Sequence, residues 1–276
     1  MKKIMPFLIL FLLVALFVVV EYGDEMGLKI NFNLAEQRKE VIEKAKPIKK
    51  GAFVKNIHYG SDPSRPVKWK VNMKYNHEGK GIRHGESIRY WESGEMASRM
   101  NYVEDKKHGT YLAYFKNGKV WKELTYENGA ISGQCKHYDR QGRLTAEYRY
   151  KNGLPGTGLK EYTNLGKQRK QPKIHIERID EVRSANKYTL KLSLAGENAK
   201  RYRAVTFYMG DLVEGKYFSK NISEVESLTS KTARIVLEIP KGYVVNKTIN
   251  IVAVAKNSEA VKLILQKKVE VAVRGV

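Results

Sequence analysis

The chain repeats itself at a fixed interval. His84–Lys107 reads HGESIRYWESGEMASRMNYVEDKK, His108–Ile131 reads HGTYLAYFKNGKVWKELTYENGAI, and Ser132–Pro155 reads SGQCKHYDRQGRLTAEYRYKNGLP. The period is 24 residues, with no gap. Gly85, Gly109 and Gly133 share one column, and Gly94, Gly118, Gly142 and Gly166 share another. Tyr90, Tyr114, Tyr138 and Tyr162 form a third, and Tyr102, Tyr126 and Tyr150 a fourth. A partial unit continues from Gly156 to Gly166. A unit this short buries its apolar side only against its neighbours, so the copies must stack.

Each unit reads as two strands. The first turns are Glu92-Ser93-Gly94, Lys116-Asn117-Gly118 and Arg140-Gln141-Gly142, with only the glycine constant. A two-residue type I′ turn would force Ser93 and Gln141 to positive φ, which is unfavourable. A three-residue loop with glycine alone in the left-handed region fits better. That loop pairs Tyr114 with Val120 and Leu112 with Lys122. One face should then gather Tyr114, Leu112, Val120, Leu124 and Tyr126, with Tyr90, Ile88, Met96, Met100 and Tyr102, then Tyr138, Leu144, Tyr148 and Tyr150, in the equivalent places. The second turn holds Asn128-Gly129 and Asn152-Gly153. The expected result is an antiparallel meander that grows by one hairpin per repeat.

The pattern G-x-x-x-x-Y-[WF]-x-x-G at Gly85–Gly94 and Gly109–Gly118 resembles MORN-type repeats, in the variant found in bacterial YwqK-like antitoxin components. The third copy departs from it, with Asp139 in place of the second aromatic. The resemblance spans about 69–166. It implies a sheet used for binding, of lipid headgroups or of partner proteins. The aromatic residues of the repeats are the candidate contacts: Tyr90, Trp91, Tyr102, Tyr114, Phe115, Trp121, Tyr126, Tyr138, Tyr150 and Tyr162.

The flanks differ in kind. Lys2 and Lys3 precede an uncharged run from Ile4 to Val20. At 1.5 Å per residue that run reaches about 25 Å, the short end of a membrane span. Residues 1–23 therefore read as a membrane anchor, or as a cleaved signal segment, or as a buried core helix. The first two place the bulk of the chain outside the cytoplasm, with the N-terminus inside for an anchor. Residues 24–68 read as a stalk with a short helix at LAEQRKEVIEKAK, capped by Asn33. A strand at Lys70–Tyr75 should open the sheet. Residues 167–173 are a basic linker. Residues 174–276 hold six or seven β-branched runs separated by turn signals, which suggests an immunoglobulin-like β-sandwich without the Cys…Trp…Cys signature. The expected fold class is mainly β, with an N-terminal transmembrane helix, a MORN-like antiparallel sheet and a C-terminal sandwich.

Catalytic chemistry is not signalled. One cysteine excludes an intrachain disulfide framework and a multi-cysteine zinc site. His84 and His108 hold the same repeat position, about 10 Å apart across two strand spacings, too far to share a zinc ion. Gly79–Gly85 matches no phosphate-loop spacing. No cofactor, metal or enzymatic activity is expected. The net charge of +22 is spread along the chain. It is consistent with a solvated surface, with attraction to an anionic envelope surface, or with nucleic acid, which export disfavours. Hydrophobic residues at 42 % exclude a mainly disordered chain. The expected function is that of a membrane-tethered, extracytoplasmic binding or scaffold protein. Its repeat sheet would meet a protein or an anionic envelope surface. The alternative is a toxin–antitoxin or immunity protein that grips its partner with the same sheet.

Overall fold

The computed structural model describes residues 50–276, which form one compact unit. Its first part is a meander of strands β1 (Ala52–His58), β2 (Val67–Tyr75), β3 (Gly81–Tyr90), β4 (Met96–Val103), β5 (Lys106–Tyr114), β6 (Val120–Glu127), β7 (Ala130–Ile131), β8 (Gly133–Tyr138), β9 (Leu144–Lys151), β10 (Leu154–Pro155) and β11 (Lys160–Glu161). They make one antiparallel sheet in near-sequential order, β7 pairing with β6, and β10 and β11 both with β9.

From β3 onward the two rims of the sheet use different turns. On one rim Trp91 N donates to Glu95 O and Gly94 N to Trp91 O. The same pair of bonds recurs at Phe115 and Gly118, Asp139 and Gly142, and Thr163 and Gly166. Only the glycine of each loop has positive φ, for example 98° at Gly94. This is the three-residue loop read from the sequence. On the other rim both central residues are left-handed: Asn128 and Gly129 at 49° and 92°, Asn152 and Gly153 at 48° and 81°. That is the type I′ pattern. In the first copy Glu104 and Asp105 hold it without glycine, at 49° and 63°. Arg83 secures them, its Nε donating to Asp105 Oδ1 at 2.8 Å while Arg83 N donates to the same oxygen at 3.0 Å.

Every repeat hairpin carries one bulge at the same place. Tyr114 faces Val120, but Ala113 faces Lys122, which leaves Trp121 as the extra residue. Ala97 and Thr145 are the extra residues of the hairpins before and after. Leu112 therefore faces Glu123 rather than Lys122. The expected face splits. Tyr114, Leu112 and Val120 lie on one side; Tyr111, Leu124 and Tyr126 lie on the other. A one-residue insertion exchanges faces, and a bulge supplies that insertion without disturbing the turn.

The second part is a two-sheet sandwich. Its strands are β12 (Lys173–Glu181), β13 (Lys187–Ala195), β14 (Ala204–Met209), β15 (Ser223–Glu224), β16 (Ser227–Thr229), β17 (Thr232–Glu238), β18 (Val244–Lys256) and β19 (Lys262–Arg274). One sheet runs β12-β13-β17-β16 and the other β15-β14-β18-β19, the strand order of an immunoglobulin-type sandwich. Alternation puts Leu190, Leu192, Phe207, Ile251, Leu263 and Val271 fully inside. Ala146 and Leu159 of the repeat part belong to the same apolar cluster. Residues 167–173 cross between the two parts with their backbone engaged: Arg169 N donates to Glu161 O and Asn198 Nδ2 to Lys170 O.

Two further expectations are corrected. The sheet opens with β1 (Ala52–His58), ahead of the strand expected at Lys70–Tyr75. Among the described residues the fold is mainly β and holds no transmembrane helix, because no helix there is long and apolar enough to cross a membrane. The segment that carried that expectation, 1–23, and the stalk helix at 34–46 lie outside the described residues.

Candidate contact surface on the repeat sheet

Pairing across the strands assigns each repeat aromatic to a side. Tyr102, Tyr126 and Tyr150 share one face, with the buried residues Val71, Ser87, Met100, Leu124 and Cys135. Tyr114 and Tyr138 occupy the opposite face. There Tyr138 Oη donates to Glu123 Oε2 at 3.2 Å, and Tyr162 Oη donates to Glu147 Oε2 at 2.6 Å. Donor and acceptor each advance by one repeat. Tyr90 sits at the equivalent place in the first copy, and its carbonyl accepts from Tyr59 Oη at 2.8 Å. Trp91 and Phe115 begin the glycine-rim turns, and Trp121 is the bulge residue, 38 % exposed. The ten aromatics are thus divided between two faces and a rim.

Side chains other than these aromatics join the strands into one line. Trp69 pairs with Arg89, Arg89 with Ser98, Ser98 with Ala113, Ala113 with Lys122, Lys122 with His137, His137 with Ala146, and Ala146 with Glu161. Paired residues in an antiparallel ladder project to the same side. This transverse row interleaves two repeat columns: Arg89, Ala113, His137 and Glu161, then Ser98, Lys122 and Ala146. Both columns vary in type from copy to copy, so a search for conserved repeat positions passes over them.

Cations of the row and its surroundings cover aromatic rings. The Arg89 guanidinium lies 5.9 Å from the Trp69 ring and 5.6 Å from the Trp91 ring. Lys116 Nζ is 6.0 Å from Trp91 and Lys122 Nζ is 3.9 Å from Trp121. Burial holds the Lys122 ammonium below its ordinary pKa, opposed by the Glu259 carboxylate. Along the second rim Arg83 covers Tyr102 at 4.4 Å and Lys107 covers Tyr126 at 4.9 Å. Cation–aromatic contacts of this kind contribute about 0.5–1 kcal/mol each where exposed.

The far end of the row is an anchor. His137 Nδ1 lies 3.4 Å from Glu259 Oε2, and Tyr148 Oη is 2.8 Å from His137 Nε2. The hydrogen bond with His137 holds the Glu259 carboxyl below its usual range, against burial. Glu161 accepts from Tyr202 Oη at 2.5 Å and from Asn257 Nδ2 at 2.9 Å. The row therefore has a basic, aromatic outer half and an inner half consumed by the junction with the sandwich.

Comparison with known protein families matches residues 83–104 and 107–128 to the MORN repeat variant. The second matched segment runs from one type I′ turn, through a glycine loop, to the next, and the first ends at the turn of Glu104 and Asp105. No curated protein matches the chain. Repeats of this kind commonly mediate contacts with proteins or membranes, and it is to them that the first two units of this sheet are similar.

Proposed function

We propose that the repeat sheet is a protein-contact surface and that the sandwich is the platform holding it. The observation that carries this reading is the transverse row. A framework of constant turn glycines and tyrosines holds, at fixed spacing, residues that differ from copy to copy; of these Arg89 and Lys122 are partly exposed, while Ser98, Ala113, His137, Ala146 and Glu161 are buried. That is how a repeat array separates a common fold from a particular specificity. The buried anchor at Glu161 and His137 fixes one end, which lowers the entropy lost when a partner docks. Placement outside the cytoplasm is part of the same proposal. Lys2 and Lys3 ahead of the uncharged run support it, and a reporter active only after export, fused behind Val276, tests it.

A photo-crosslinking side chain placed at Trp121, on the sheet, and at Tyr243, 66 % exposed on the sandwich, tests the contact surface. In an extract of the source cells the position 121 variant should give a discrete adduct that excess unmodified chain competes away and that Trp91→Ala abolishes. Equal adducts from both positions, or adducts from position 243 alone, would overturn the assignment.

A further inference from the structure

The outer half of the row is a surface of donors without acceptors. Among the described residues Arg65, Arg83 and Arg143 each hold a carboxylate, whereas Arg89, Lys116 and Lys122 enter no ion pair. Along the same stretch of chain three polar atoms are buried and unpartnered: Ser87 Oγ, Arg89 Nε and Trp91 Nε1. They belong to alternate residues of β3 and the turn after it, so they share one side, and Ser87 is only 1 % exposed. Buried polar groups without partners call for an explanation. Here all of them are able to donate, beside three cations that no carboxylate holds in an ion pair.

The aromatic rings narrow the chemistry. Single-stranded nucleic acid binds such surfaces by stacking bases on open ring faces. Arg89, Lys116 and Lys122 lie over Trp91 and Trp121, so a cation already occupies ring surface that a base would stack on, and what these side chains offer a ligand is N–H. The complement is an oxyanion, and the planar guanidinium fork suits a carboxylate taken by two parallel bonds. The spacing adds length. Arg89 and Lys122 are three strand spacings apart in the row, about 14 Å, with only the small, buried Ser98 and Ala113 between them. An extended chain covers that distance in about four residues.

We propose that this half-row takes an extended acidic segment of a protein partner, laid across the strands, with carboxylates four residues apart on Arg89 and Lys122. The inference rests on the contact-surface reading above and specifies the partner's chemistry.

The test uses the full chain and a short Ser/Thr-rich peptide carrying glutamates four residues apart. Its isomer of equal charge has the glutamates adjacent. Binding is followed by isothermal titration and by the NMR signals of the three indole N–H groups. The spaced peptide should shift the Trp91 and Trp121 signals and bind at least fivefold more tightly than the isomer. Arg89→Gln and Lys122→Gln should each weaken it about tenfold. Lys231→Gln on the sandwich should leave it unchanged. Arg89→Lys keeps the charge and loses the two-bond fork, so binding between that of the parent and that of Arg89→Gln separates loss of charge from loss of fold. Equal affinity for the two peptides, or an Arg89→Gln chain that binds as Lys231→Gln does, overturns the proposal. So does displacement of the peptide by inorganic phosphate or by an oligonucleotide of equal charge at lower concentration. If the peptides fail while the crosslink at position 121 persists, the acidic class falls and the contact surface stands. Loss of the crosslink removes the contact surface itself.

Discussion

At the scale of the residue, Cys135 shows how the sheet uses a repeat position. It is 0 % exposed and sits opposite Tyr148. Burial pushes its thiol from an ordinary 9.0 up to about 11. The neutral thiol is the form the fold favours. Its contribution to stability is complete below the ordinary thiol range and is lost as pH climbs through about 11. At pH 8 iodoacetamide should leave Cys135 unmodified in the native chain and label it fully in urea, which mass spectrometry reads directly. Rapid native labelling would show that the strand opens. The sequence marks this position only as the equivalent of Ser87 and Tyr111. The turn glycines were legible because positive φ restricts residue type. The setting of Cys135 was not, since it is made by Thr125 and Tyr148, on strands whose register depends on the bulges.

At the scale of the element, the bulge decides which residues meet. Tyr114 opposite Val120 follows from the loop length alone, and that pairing is found. Everything beyond it is shifted by one, because Ala97, Trp121 and Thr145 each add a residue to the returning strand. Three residues of unlike type in one column leave no compositional trace, so the faces could not be read from hydrophobic spacing. Deleting Thr145 alone would force Tyr148 and Tyr150 off their face or break the Tyr138–Leu144 pair. Deleting His108–Ile131 removes one whole period and keeps every alternation. Both chains should fold. The single deletion should cost about 2–4 kcal/mol, and the midpoint of urea unfolding for the whole-repeat deletion should lie above that of the single one. The reverse order would mean that the bulge is dispensable. The variable columns of the row were hidden for a related reason. Arg89, Ala113, His137 and Glu161 have nothing in common until the ladder brings them into line.

At the scale of the whole molecule, residues 50–276 should unfold as one body. The basic composition of 167–173 marks a change of architecture, yet composition does not report backbone hydrogen bonds or the shared core of Ala146 and Leu159. Glu161 is the sharpest probe of the junction. Burial, and after it the neighbouring Glu161 carboxylate, pushes the Tyr202 hydroxyl up, so it remains a donor. Glu161→Ala strands that hydroxyl and the Asn257 amide in the interior, at a cost of about 3 kcal/mol. A chain of this size should then melt about 10 °C lower. Calorimetry should still show a single transition in the parent. Two well-separated transitions there would mean that the sheet and the sandwich are independent.

The row also bears on how such a protein changes over generations. Duplication of one 24-residue unit inserts two strands, and with them one new member of each interleaved column. The line of side chains lengthens by two strand widths, about 10 Å, while Glu161 and His137 keep their fastening and β1 keeps its place at the start. New letters enter the middle of the word and its ends stay as they were. A lineage can therefore revise what the sheet reads by copying and editing, without first solving the fold again.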